Sequence, residues 1–191
     1  VAVLVARQRH EYGVGAVRLE CGSVQGSPGG QIHDLDVGEH LVEVALPILQ
    51  GAEEPVFADV GTGSGILAIA AAGLGSRQVA AVDFNRLAVQ TTRHNIHLNG
   101  LGDRILPVQG RAEQLVTMPA DLLIANIHYD AMKLFITTPA FKAKRHWILS
   151  GLLRSQAREV ERLLGSSGGR IVKRWTRDHI WYTYLGAHDQ D

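Results

Sequence analysis

The sequence predicts an α/β fold, a doubly wound and mostly parallel sheet of seven strands with an antiparallel strand near the C-terminus. Three observations carry that reading. From Val56 onward, short apolar runs alternate with helical stretches, the pattern of repeated strand and crossover helix. The first crossover, within residues 56–83, passes through three glycines at alternate positions between a strand and an Ala/Ile/Leu-rich helix. The last two runs, Arg170–Trp175 and His179–Leu185, alternate as an antiparallel pair does.

Residues 1–30 form an N-terminal extension in which Val1–Ala6 and Ala16–Glu20 can pair as a hairpin, and Cys21–Gly30 reads as turn or linker. Residues 31–55 read as a linker and lid helix, with Leu41, Val44, Ala45 and Ile48 on one face and Pro47 ending or kinking it. His33, Asp36, Glu39 and His40 precede that helix, but their spacing fits no metal-ligand pattern, and no metal is expected. Residues 56–191 read as the main domain. Its first strand ends at Asp59, its first helix is Ile66–Leu74, and the second strand, Gln78–Val82, runs into Asp83. Asn85 is placed to cap a helix of about four turns that stops before Gly100. Strands follow at Ile105–Val108, Asp121–Ala125 and His146–Ser150, with Leu134–Phe141 as helix or turn. Leu152–Leu164 is an amphipathic helix carrying Leu153, Ala157, Val160 and Leu164 on its apolar face.

In a doubly wound sheet, ligands bind outside the carboxyl ends of the strands. Asp59, Gly61, Thr62, Gly63 and Gly65 follow the first strand, and Asp83, Phe84 and Asn85 the second. Arg111, Ala112 and Glu113 follow the third, and Asn126, Ile127, His128 and Tyr129 the fourth. All of these gather on one edge. The spacing separates two cofactor classes, because a dinucleotide fingerprint needs its third glycine at position 66, where this chain has Ile66.

The GxGxG turn, with Asp59 before it and Asp83 closing the next strand, resembles the first motifs of the class I S-adenosylmethionine (SAM) methyltransferases, a Rossmann-like fold. That resemblance implies SAM as cofactor, with the residues from Asp59 to Gly65, Asp83 to Asn85, Arg111 to Glu113, and Asn126 around it. Asp83 would take the ribose hydroxyls, Phe84 and Asn85 would lie beside adenine, and Arg111 to Glu113 would read the adenine edge.

DVGTGSGILAIAAAGLG, VDFNRLAVQTTRHNIHLNG, LLIANI and ILSGLLRSQAREVERLL together resemble the catalytic domain of the PrmA family, bacterial enzymes that methylate a ribosomal protein on amino groups. The resemblance runs from about Val56 to the C-terminus. It departs from the family in two places. The family carries a separate N-terminal recognition domain, for which the roughly thirty residues before the linker are expected to be too few, and DLDVGEHLVEV stands where the family has an FGTG-H-x-T-T-like run. After the fourth strand, N-I-H-Y stands where base and amide methyltransferases have N-P-P-Y and PrmA-like enzymes have N-I-L. The implied catalytic set is Asn126, Ile127, His128 and Tyr129. Asn126 and the Ile127 carbonyl would orient the acceptor nitrogen, His128 could act as base, and Tyr129 could stack on a planar substrate or cover the core. An arginine-methyltransferase reading needs two glutamates in this segment, and Asn126–Phe141 has none.

The expected activity is N-methylation of a protein amino group. The alternatives are an exocyclic amine of a nucleic-acid base or a small molecule, and a SAM-binding module without activity. Composition agrees with an enzyme of this kind. With 191 residues, 46% hydrophobic and 20% charged, the chain fits one globular domain with a sizeable core. It has no apolar run of the ~18 residues that a membrane span needs. A single cysteine, Cys21, excludes an internal disulfide, and a cytoplasmic location is expected. Charge is uneven: residues 1–60 carry three basic side chains against nine acidic, while residues 142–177 carry ten basic against two acidic. Such a gradient can steer a macromolecular substrate, a ribosomal or other protein or a nucleic acid.

Overall fold

In the computed structural model, residues 4–9, 16–21, 56–115 and 117–189 are described. The lid helix and the His33–His40 group lie outside them. β1 (Leu4–Arg9) and β2 (Ala16–Cys21) pair antiparallel as a separate two-stranded sheet, from Leu4 opposite Cys21 to Arg9 opposite Ala16.

The main sheet contains β3 (Val56–Val60), β4 (Gln78–Asp83), β5 (Ile105–Gln109), β6 (Leu122–Asn126), β7 (His146–Leu153), β8 (Gly169–Arg177) and β9 (Trp181–His188). Their order is β5-β4-β3-β6-β7-β9-β8. β9 runs antiparallel to both neighbours and the rest are parallel. The chain reverses its winding between β3 and β6, so the carboxyl ends of those strands open a crevice.

Both faces of the sheet are covered, which explains why its central strands are mostly continuous apolar runs rather than alternating. Successive side chains point to opposite faces. Phe57, Leu122, Ile124 and Ile148 therefore pack on one side with α1 (Ile66–Gly73) and α2 (Arg86–Leu98). Ala58, Leu123, Ala125 and Leu149 pack on the other side with α4 (Tyr129–Ile136), α5 (Pro139–Lys142) and α6 (Arg154–Ser166). A short α3 (Ala112–Leu115) follows β5. Every residue of α1 from Ile66 to Ala72 is buried, as expected of a helix apolar on all sides. Gly186 in β9 lies directly under Trp147, whose ring occupies the space a side chain there would take.

Three segments differ from the sequence reading, and in the last of them His179 lies in the turn before β9, which starts at Trp181. The fifth parallel strand does not stop at Ser150 but continues to Leu153, and α6 starts at Arg154. Gly151 adopts φ 83°, and the β7–β9 register shifts between Leu149 and Leu152, so a bulge carries the strand past the glycine. Leu153 consequently leaves the apolar face of α6 and is exposed, while Ala157, Val160 and Leu164 remain buried. The region after β6 is also helical earlier than Leu134: α4 begins at Tyr129 with His128 as its N-cap. Thr138 then caps α5, with Pro139 at the first helical position. Among the described residues, no helix is long and apolar enough to cross a membrane.

Candidate functional site

The turn after β3 is built from positive-φ glycines, Gly61 (76°), Gly63 (56°) and Gly65 (84°). It is held from three directions. The Gly61 and Thr62 N–H groups donate to the Val82 carbonyl at 2.8 and 2.9 Å. From α2, Thr92 Oγ1 donates to the Gly63 carbonyl at 3.1 Å and Asn95 Nδ2 to the Ser64 carbonyl at 2.7 Å. From within β3, Asp59 Oδ2 accepts from Thr62 Oγ1 at 2.6 Å and from the Ala68 N–H at 3.1 Å.

That last contact changes the reading of Asp59. It is 1% exposed and caps the third residue of α1, a helix whose own N-cap, Gly65, has no side chain to do so. Asp59 and Thr62 therefore clamp the turn from behind and do not line the cleft. Gly63 and Gly65 shape the same turn without lining it. Asn85 likewise serves α2, accepting the Leu87 N–H at 2.9 Å.

The cleft, about 460 Å³, lies over the carboxyl ends of β3, β4, β5 and β6. Gly61, Asp83, Phe84, Arg111, Ala112, Glu113, Asn126, Ile127 and His128 line it. Asp83 is 8% exposed; its Oδ2 accepts the Gly63 N–H at 3.0 Å and its Oδ1 the Asn85 N–H at 2.8 Å. A carboxylate offers about four acceptor sites, so capacity remains for ligand hydroxyls. Phe84 next to it is 74% exposed, an aromatic face turned out at the rim. Arg111 and Glu113 pair at 3.6 Å on the adjacent wall.

The opposite wall is Asn126 and Ile127, and two glycines let it approach. A side chain at Gly61 would strike the Ile127 Cγ2 at 2.1 Å. One at Gly151 would lie 2.9 Å from Asn126 Oδ1 and 3.3 Å from the Ile127 carbonyl. Both oxygens can therefore be approached from the side that Gly151 leaves bare. His128 stands at the rim with its side chain 78% exposed; its Nδ1 accepts the Asp130 N–H at 3.4 Å and lies 3.5 Å from the Asp130 carboxylate.

Tyr129 belongs elsewhere. The phase of α4 turns it away from the cleft, onto the core beneath α6. There it faces the Glu159 carboxylate, and that acceptor together with burial pushes the phenol up to about 12. The core-covering alternative for Tyr129 is the one realised. The same phase brings Asp130, Ala131 and Leu134 to the cleft, along with Gly110 after β5. The sequence reading omitted these, because a helix starting at Leu134 gave no spacing by which to find them.

The residues fit SAM. The cleft volume suits a nucleoside-sized ligand, the glycine turn gives close backbone approach, and an acid with spare acceptor capacity sits beside an uncovered aromatic ring.

Residues 42–188 match the family model described as ribosomal protein L11 methyltransferase (PrmA). The ribosomal protein L11 methyltransferase of Desulforamulus reducens is 37% identical over 142 residues, covering 72% of this chain and 44% of that protein. That of Gloeobacter violaceus is 38% identical over 161 residues, covering 81% and 49%. The crystal structure of ribosomal protein L11 methylase from Lactobacillus delbrueckii subsp. bulgaricus superposes with TM-score 0.65 at 25% identity, covering 81% of this chain and 79% of that one. Magnesium protoporphyrin IX methyltransferase from Synechocystis, solved with bound SAM, shares the fold at 17% identity and TM-score 0.60. The chain spans about half the length of the curated relatives it matches.

Proposed function

This chain belongs to the ribosomal protein L11 methyltransferase (PrmA) family, and from that premise we propose that it is a SAM-dependent methyltransferase acting on an amino group of a protein, with ribosomal protein L11 as the first candidate substrate. The observation that carries the chemistry is the convergence of the Asn126 side-chain oxygen and the Ile127 carbonyl beside Gly151, on one wall of a cleft whose other wall holds Asp83 and Phe84.

Asp83 would hold the ribose hydroxyls, Phe84 would cover a face of the adenine, and the Gly110–Glu113 segment would meet its edge. Gly61 and Ile127 would flank the methionine part. SAM, when bound, supplies a methyl group made electrophilic by its attachment to a sulfonium.

The protein's contribution is then to present a neutral nitrogen in line. Asn126 Oδ1 and the Ile127 carbonyl accept the two N–H bonds of the incoming amine and fix its lone pair toward the methyl. As the nitrogen gains positive charge, the same oxygens stabilise it, an interaction stronger in the transition state than before it. Positioning of this kind can supply about 7–11 kcal/mol of the barrier reduction. His128, exposed at the mouth, takes the proton that the acceptor amine must shed.

The test is calorimetric titration with SAM followed by transfer of tritiated methyl to purified ribosomal protein L11. Binding and label on the protein's amino groups support the proposal. Binding without label on that protein overturns the substrate, and no binding overturns the enzyme.

A further inference from the structure

The basic C-terminal third has a structural focus that the methyl-transfer site does not use. Beyond the end of β7, α6 and the β8–β9 turn enclose a shallow pocket of about 650 Å³, lined by Leu153, Arg154, Ser155, Arg158, His179 and Ile180. Both arginines and His179 are exposed, and no carboxylate lines the pocket. Two nearby acids are engaged elsewhere: Asp178 with Arg177 at 3.7 Å, and Glu161 with Arg174 at 2.6 Å and with the Tyr184 hydroxyl at 2.7 Å. Arg154 and Arg158 make no ion pair among the described residues.

The turn that brings His179 to this pocket is strained. Asp178 and His179 take φ 52° and 55°, closed by the Ile180 N–H on the Arg177 carbonyl at 3.0 Å. Glycine takes such φ values without a Cβ penalty, so a more relaxed sequence was available at the position that faces the arginines.

We propose that this pocket binds the phosphodiester backbone of RNA. Arg154 and Arg158 stand about 6 Å apart along the helix axis, and Arg162 continues the row. A line of guanidinium groups, each able to engage phosphate through two N–H donors, suits a polymer with regularly repeated charge. The pocket's charge is carried by guanidinium groups suited to phosphate, so recognition is chiefly of backbone. Arg162 on the same helix adds to the attractive field around it. RNA binding here is independent of methyl transfer. Where the proposed activity holds, the pocket lies on the same sheet edge as the cleft, about 10 Å along β7 from the Asn126–Ser150 pair. RNA carried by a ribonucleoprotein substrate would then be held beside the amino group to be methylated.

The experiment is fluorescence anisotropy of a fluorescein-labelled single-stranded RNA titrated with the full chain across a series of salt concentrations. The parent chain is expected to bind at low salt with log Kd rising linearly in log salt. The double variant Arg154→Gln/Arg158→Gln should bind at least about tenfold more weakly, with a slope smaller by about 1.4, since each phosphate neutralised on a single strand contributes about 0.7. His179→Ala should weaken binding by a smaller factor. All three positions are exposed, and unchanged melting temperatures establish that the variants fold. Absence of binding by the parent at about 100 μM protein, the weak end of non-specific affinity, overturns the proposal, as does a double variant that binds like the parent. Polyglutamate that displaces the RNA at lower charge-equivalent concentration than unlabelled RNA also overturns it, in favour of an acidic protein partner.

Discussion

The Asp83 carboxylate accepts the Gly63 N–H at 3.0 Å and so ties the tip of β4 to the glycine turn that follows β3. The same carboxylate holds the Asn85 N–H at 2.8 Å, which sets the chain direction into α2. One side chain thus fixes the geometry of two loops and faces the cleft with its remaining lone pairs.

Asp83→Ala should therefore fail in two separable ways. Two charge-assisted acceptors are lost, at a net cost of roughly 3 kcal/mol, and the melting temperature should fall by about 6–12 °C. SAM affinity measured by calorimetry should drop about 10–100-fold. Asp83→Asn keeps the shape and one acceptor, so it should recover most of the melting temperature while leaving affinity impaired. An Asp83→Ala protein that bound SAM as tightly as the parent would remove the acid from the ribose site.

Asn126→Ala should separate chemistry from binding. Its side-chain oxygen belongs to the wall that receives the acceptor, so kcat should fall by about 10²–10³, the usual effect of removing one such stabilising group. SAM affinity should stay within about threefold of the parent. Equal losses in kcat and SAM affinity would instead mark Asn126 as a support of the cofactor wall.

The turn itself can be tested through its tightest contact. Gly61→Ala places a methyl 2.1 Å from Ile127 Cγ2 and requires a non-glycine residue at φ 76°. The Cγ2 methyl is fixed to the branched Cβ of Ile127, so relieving the clash displaces the Asn126–Ile127 wall. Urea unfolding should show a loss of about 3 kcal/mol or more, as overpacking adds to the left-handed backbone cost. Ile127→Ala removes the colliding atom, so the Gly61→Ala/Ile127→Ala pair should be less destabilised than the two single changes add up to. Strict additivity in that cycle would mean that the two residues do not share the contact.

What could be read from the chain and what could not follows from these same residues. The strands and the glycine turn were legible because burial on both faces and alternate glycines leave local, one-dimensional marks. Asp83 was given the ribose and Asp59 a place beside the cofactor, but both are acids at strand ends, and only the third dimension shows that Asp59 looks back at the Ala68 N–H while Asp83 lines the cleft. Asn85 was correctly read as a cap but not as a residue thereby occupied. Tyr129 depended on the phase of α4, which begins one residue after an unconventional His128 cap that no propensity rule anticipates. Thr92 and Asn95, which pin the turn from α2, sit 29 and 31 residues from their partners and carry no local signal at all. Gly151 looked like a strand terminator, whereas the bulge that it permits arises from pairing with β9.

The amino end of the sheet offers a pH test that does not involve the cleft. Lys144 is 4% exposed, and its ammonium donates to the Met118 carbonyl. Burial holds its pKa below the ordinary lysine value, which is about 10.4. Between the lowered value and the ordinary one, the unfolded chain binds a proton that the folded chain does not, so stability rises with pH across that window. Below it the folded protein carries a buried ammonium, and the penalty is complete. Lys144→Met removes the penalty and leaves the Met118 carbonyl without that donor, an offset of about 1 kcal/mol that does not vary with pH. Urea unfolding from pH 7 to about 10.5 should therefore show the variant's stability relative to the parent falling steadily as pH rises through the window, with its most favourable value at the acidic end. A difference between the two proteins that stayed constant over that range would show that Lys144 titrates in the folded protein as it does in the unfolded chain.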